Sequence, residues 1–272
     1  MRLNPRLADG RQQIERAWRT ANAPAPPNAG TGPKRHKAER QKKMSGEEMT
    51  QIRAFPMSES PVIPLRERRR QETMNEILDL SIEVIRQQGV AGLNLTTVAR
   101  LLGVQPTALY KYFPSLMAVY DALYRRAEND VLHEVENAVA SAEPGMAAIR
   151  DAMLAVDRWA TVNPEMAQLL IGRPIPGYIP APDALDPSIR ILGIFRQSLD
   201  QAVARRQLDA GAAGSRHVLM LAALLTGAST LRMLHAEEPP CQADMEGLIP
   251  DLVSMFFRAF PPQDAPVPAT DL

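Results

Sequence analysis

The chain has one cysteine, Cys241, which excludes an intramolecular disulfide framework and a cysteine-rich zinc site. Histidine is nearly as scarce. His36, His133, His217 and His235 are scattered, with no HExxH pair and no metal-ligand spacing, and no glycine-rich phosphate loop occurs. No catalytic constellation is visible, so neither an enzyme, a metal nor a cofactor is expected. Aromatic residues make up only 5% of the chain, so Leu, Ile, Val, Ala and Met must build its core. No apolar stretch follows Met1-Arg2, which argues against a secretory signal. The most apolar run, Val218–Leu234, is interrupted by Thr226, Gly227, Ser229, Thr230 and Arg232. It reads as too short and too polar to span a bilayer. A soluble, cytoplasmic protein is expected.

Net charge is also lacking, but only in sum: 31 Lys and Arg balance 31 Asp and Glu. Residues 1–60 hold 12 basic and 6 acidic groups, residues 61–126 hold 9 and 6, and residues 127–272 hold 10 and 19. A basic front on an acidic rear directs the first half towards a polyanion.

Residues 1–64 read as a disordered, basic extension rich in Pro and Gly. Its segment "NAPAPPNAGTGPKRHKAERQKK" (Asn22–Lys43) buries too little apolar surface to offset the entropy of ordering it. Order is expected from Leu65. Met74, Ile77, Leu78, Ser81, Val84 and Ile85 recur at helical spacing over Arg66–Gln88, and Gly89 supplies a stop. The first turns carry Arg66, Arg68, Arg69 and Arg70, cations that oppose the helix dipole unless a phosphate lies nearby.

The stretch "VARLLGVQPTALYKYFPS" (Val98–Ser115) holds the most information. Asn94 caps a short helix Leu95–Leu102, with Val98, Leu101 and Leu102 on one side. Gly103 permits a sharp turn, and Val104 is placed to plug the space between two helices. Pro106 suits a first helical position, because its missing N–H would have no intrahelical partner there. The second helix is expected over Pro106–Phe113, stopped by Pro114, and Ser115 caps a long helix to about Ala140. Ala108, Leu109 and Phe113 face inward in this reading. Thr107, Lys111 and Tyr112 face outward beside Gln105 and Tyr110. Two short helices joined at a glycine form a helix-turn-helix, whose second member can lie in a DNA major groove.

"VARLLGV" followed by "ALYKYFPS" resembles the DNA-binding motif of the tetracycline-repressor (TetR) family, over roughly Arg68–Tyr124. The resemblance implies that Gln105, Pro106 and Thr107 meet base edges, and that Tyr110, Lys111 and Tyr112 meet bases or phosphates. It also implies that the hydroxyls and amides of Thr96 and Thr97 approach the DNA backbone. The sequence departs from the family pattern at three places. Gln105 stands where Ser is usual, Tyr112 where His is common, and Leu116 where Lys is usual.

After Ala140 the chain again reads as helices: Gly145–Thr161, Pro164–Ile171, Pro187–Gln207, Ala212–Ala236 and Ala243–Phe260. Between the second and third lies "GRPIPGYIPAPDALDP" (Gly172–Pro187), whose prolines forbid a continuous helix. This loop and the later "LTGASTL" resemble a TetR subgroup marked by a Trp-His-Gly motif, with Leu225-Thr226-Gly227 in its place. The family resemblance implies a pocket for a small apolar effector, for which Trp159, Met166, Phe195, Leu199 and Met220 are the candidate walls. Arg158, Arg196 and His217 are candidate polar anchors. Ala222, Ala223, Gly227, Ala228 and Ser229 are small enough for a partner helix to approach closely. Leu248, Leu252, Met255 and Phe256 form an apolar stripe on the last helix.

The expected architecture is all-α. A three-helix helix-turn-helix domain (65–126) precedes a helical ligand-binding and dimerisation domain (127–260) and a disordered tail (261–272). The expected function is a ligand-responsive homodimeric transcriptional regulator, a repressor by family habit, reading a pseudo-palindromic double-stranded DNA operator. The alternative is an all-helical protein–protein adaptor whose helix-turn-helix no longer binds DNA.

Overall fold

The computed structural model describes residues 64–172, 174–235 and 245–262. The expected extension before Pro64, the tail beyond residue 262, Cys241 and the Ala236–Ala243 helix ends lie outside the described residues. The described residues form nine α-helices with short 3-10 turns and no strand.

Helix α1 (Leu65–Gln88) buries Ile77, Leu78, Ser81, Val84 and Ile85. Ser81 sits in this apolar stripe without penalty, because its hydroxyl donates to the Ile77 carbonyl at 2.7 Å. Helix α2 (Leu95–Leu102) starts at Asn94, whose side-chain oxygen accepts from the Thr97 N–H at 2.8 Å. It ends in a paired closure: Gly103 N–H donates to the Arg100 carbonyl and Val104 N–H to the Ala99 carbonyl. This Schellman arrangement puts Gly103 at φ +74°.

Two side chains depart from expectation here. Leu101 and Val104 are exposed. The inward stripe of α2 is Leu95, Val98, Ala99 and half-buried Leu102, at i, i+3, i+4 and i+7, which leaves Leu101 off that face. The glycine turn then carries Val104 outward rather than into the gap.

Helix α3 is only Pro106–Leu109, shorter than expected. The chain still curls through a turn in which Tyr112 and Phe113 N–H both donate to the Leu109 carbonyl at 2.9 Å. Pro114 disfavours the helical conformation for Phe113, so the regular helix stops short of it. Ser115 then caps α4 (Leu116–Ser141) by accepting from the Ala118 N–H.

Helix α4 is about 39 Å long at 1.5 Å per residue and forms the spine of the molecule. Its buried face runs from Val119 and Tyr120 to Val135, and it packs against α5 (Met146–Val162), α6 (Pro164–Gly172) and α7 (Asp186–Ala204). Tyr120 ties the spine to the first domain by donating to the Val90 carbonyl at 2.7 Å. The proline-bearing connection between α6 and α7 folds onto the same spine. There the Tyr178 hydroxyl and the Ala181 N–H both donate to Asp121 Oδ1, at 3.0 and 3.1 Å.

Helices α8 (Ser215–Leu234) and α9 (Leu248–Ala259) complete the bundle. By length and composition alone α8 is apolar enough to cross a bilayer, contrary to the sequence reading. In this fold its Val218, Leu221, Leu225, Ala228 and Ser229 face is buried. The opposite face, with Leu219, Met220, Ala223, Gly227, Leu231 and Leu234, is exposed. On α9 the stripe splits. Phe256 packs inward with Ile249 and Val253, its ring 5.2 Å from that of Phe260, so it is core and not free for a partner. Leu248 and Leu252 are half-buried, and Met255 is exposed.

Candidate nucleic-acid interface

The turn at Gly103 holds α3 proud of the first domain. Leu109 and Phe113, 1% and 3% exposed, anchor it to the core. Gln105, Thr107, Tyr110 and Lys111 are all exposed, and Tyr110 retains 54% of its surface. The expected polar face therefore points to solvent, and nothing within the described residues covers it. Pro106 is half-buried at the first helical position, as expected.

Tyr112 is different. It is half-buried and packs against the core, and the Arg70 guanidinium lies 5.4 Å from its ring centroid. The same arginine donates from Nη1 to the Lys111 carbonyl at 3.1 Å. Arg70 thus holds the end of the α3 segment from the first turns of α1, 41 residues away in sequence. Arg66, Arg69, Arg70 and Lys111 line one concave surface with a single acid, Glu67. The sequence placed arginines in α1 but gave no sign that one of them reaches the α3 segment.

Thr96 is exposed and Thr97 half-buried at the start of α2. The Thr97 amide is committed to Asn94, so of the two groups expected at Thr97 only the hydroxyl remains for a phosphate.

In the second half the candidate effector walls separate. Trp159, Met166, Phe195 and Leu199 are buried in the continuous core. Met220 is 40% exposed on the outer face of α8 and does not join them. Helical period explains this: Met220 shares its face with Ala223, Gly227 and Leu231, one residue out of step with buried Leu221. A cavity of about 350 Å³ lies nearby, between Ala160 and Thr161 of α5, Pro164 and Ala167 of α6, and Ser229, Arg232 and Met233 of α8. Trp159 and Met166 each sit one residue from this lining. The candidate anchors lie elsewhere: Arg158 is exposed, Arg196 is 4.0 Å from Asp200, and His217 stacks edge-on to Phe260. Arg232, which composition alone does not single out, lies at the cavity, and His235 is in the same lining.

Residues 77–123 match the family described as bacterial regulatory proteins, tetR family. Over these residues the chain is similar to the tetR family. An HTH-type transcriptional regulator of Mycobacterium tuberculosis is 29% identical over 140 residues, covering 50% of this chain and 59% of the relative. The chain thus matches less than two thirds of the length of that curated relative. Solved structures share the fold. A tetR-family regulatory protein from Rhodococcus RHA1 has a TM-score of 0.56 at 15% identity, covering 71% of this chain and 99% of its own. The transcriptional regulator FadR from Bacillus subtilis, in complex with stearoyl-CoA, also scores 0.56, at 13% identity, covering 67% and 97%. These likenesses extend the match beyond the helix-turn-helix into the helical second half.

Proposed function

We propose that this chain is a tetR-family regulator, an effector-responsive homodimeric repressor that reads a pseudo-palindromic DNA operator in the cytoplasm. The observation that carries the reading is the exposed row Gln105, Thr107, Tyr110 and Lys111, set on a segment anchored by Leu109 and Phe113. Gln can pair bidentately with adenine in the major groove, and Thr can contact a base edge or a thymine methyl. Lys111 and the α1 arginines supply the sequence-independent attraction to phosphates. A solvent-exposed polar face disfavours the adaptor alternative, which needs a surface suited to protein burial.

The partner for the outer face of α8 is a second copy. Leu219, Met220, Leu231 and Leu234 are exposed on one side, and a Cβ added at Gly227 would meet nothing within 4 Å. A two-fold pairing there would present two recognition segments about 34–36 Å apart, one turn of DNA. A small apolar effector in the second half would shift the equilibrium between DNA-competent and released states, within a fold that in FadR of Bacillus subtilis holds stearoyl-CoA. The test is in vitro selection from random duplex DNA, with the oligomeric state measured on the same sample. Enrichment of an inverted repeat by a dimer is the expected result. A monomer, or a pool with no enriched sequence, would refute the reading.

A further inference from the structure

The geometry points to the cavity between α5, α6 and α8 as the effector site, and to a small, uncharged, mainly apolar molecule ending in a carbonyl oxygen as its ligand. Ketones, esters and lactones are the matching class. This inference rests on the regulatory reading above and gives it a location and a chemistry.

The cavity, about 350 Å³, is walled by Ala160, Pro164, Ala167, Met233 and Met245, with Arg232 as its one arginine or lysine and Thr161, Ser229 and His235 as its other polar groups. Small and proline side chains leave the space open, and the two thioethers can adapt to an apolar guest. Arg232 Nη2 lies 2.6 Å from Asp157 Oδ1, so the guanidinium charge is already balanced. Its Nε is enclosed and has no acceptor, an N–H that a folded protein rarely leaves unpaired. A carbonyl oxygen supplies the missing acceptor after a small swing of the guanidinium about its Asp157 contact. A carboxylate would instead bring a second negative charge up to Asp157, with only the imidazole of His235 beside it in the lining, and would lose its hydration on entry.

The site also has a mechanical outlet. Pro164 lines the cavity, and the next residue, Glu165, accepts from Arg86 Nη2 of α1 at 2.7 Å. A guest pressing on the first turn of α6 therefore pushes the element that holds the end of α1, and α1 carries the arginines behind the recognition segment.

The test uses the full 272-residue chain with 13C-methyl methionine labels, titrated with 2-decanone and separately with decanoate. The expected result is saturable movement of the Met233 and Met245 methyl signals with 2-decanone, and at least tenfold weaker binding of decanoate. Arg232→Met should weaken 2-decanone about tenfold or more. Thr161→Trp narrows the cavity from an exposed wall position without touching Arg232, and should abolish the shifts in a chain of unchanged circular dichroism. Tighter binding of decanoate, unchanged 2-decanone binding by Thr161→Trp, or no saturable shift with either probe would overturn the inference. DNA selection on the same sample separates the two readings. Retained DNA binding with no probe bound defeats the site alone, whereas a bound ketone without DNA binding defeats the regulatory reading alone.

Discussion

Arg86 at the end of α1 and Glu165 at the start of α6 meet at 2.7 Å across 79 residues of sequence. Glu83 also engages Arg86, at 2.7 Å. Glu165 raises the Arg86 pKa above its ordinary value through its hydrogen bond and its charge. The pair joins the helix-turn-helix domain to the helical second half, at the helix whose other residues line the cavity. Because Arg86 is more than half exposed, the contact contributes little to stability. Under the proposed function its value lies in transmission. Arg86→Gln should leave operator affinity within about twofold, and should shrink the effector-induced loss of affinity from a coupling typically of about 1–3 kcal/mol. Operator binding titrations with and without 2-decanone measure both quantities. An unchanged ratio would show that the signal travels elsewhere.

Arg70 is a positioning residue for the recognition segment, through the Lys111 carbonyl and the Tyr112 ring. Arg70→Ala should weaken binding to operator and random DNA alike, because it loosens the segment and removes a cation from the basic concavity. Arg70→Lys should restore the salt dependence better than the affinity, since an ammonium does not reproduce the planar guanidinium contacts. Affinity measured at several salt concentrations separates the two effects.

Gln105 and Thr107 are the expected base readers, and Lys111 a phosphate contact. Lys111→Ala should lower affinity uniformly across sequences and reduce the slope of log K against log salt by about one. Gln105→Ala or Thr107→Ala should cost about 1–3 kcal/mol on the preferred operator and relax the preference at one base pair per half-site. Selection experiments on the three variants give the answer directly. If all three act uniformly, the assignment of readers is wrong.

The success of the sequence reading follows the range of the signal it used. Helix α2 was legible to the residue because Asn94 and Gly103 are local devices that act within one turn. The end of α3 was misplaced because periodicity carried Pro106 onward to Phe113, while Pro114 acts backward on its neighbour. Arg70 on Tyr112, Arg86 on Glu165 and Tyr178 on Asp121 were invisible. Each joins groups 42 to 79 positions apart, and one exposed arginine reads like another until the chain is folded. Met220 failed for a finer reason. The polar residues of α8 fall on all its sides, so it has almost no periodic contrast and composition could not say which side faces the core.

Gly103 offers a test of the turn itself. Its φ of +74° lies in the left-handed region, yet a Cβ placed there would meet nothing within 4 Å. The conformational cost alone should apply, so Gly103→Ala should destabilise the chain by about 1–2 kcal/mol. Gly103→Asn should cost less, because Asn tolerates this region better. Denaturant unfolding of the three proteins measures the order. A loss well beyond that range would mean the glycine also makes room for something against it.

Glu128 is a buried acid on the spine helix, 8% exposed among apolar neighbours. Burial pushes its carboxyl pKa up, and hydrogen bonds from the Ser188 and Tyr124 hydroxyls pull only partly the other way. With the folded pKa above the unfolded value, the folded state binds more protons through that window. Stability is then greatest below the unfolded carboxyl range and falls as pH rises through the folded pKa. Glu128→Gln removes the charge and keeps a carbonyl to accept from the same hydroxyls. It should therefore raise the melting temperature at neutral pH, with a gain that shrinks towards zero as the buffer is taken down to about pH 4. Parallel melting curves across that range decide the matter. A gain that grows in acid would mean that the hydroxyls, not burial, govern this carboxylate, and that the spine holds its charge favourably.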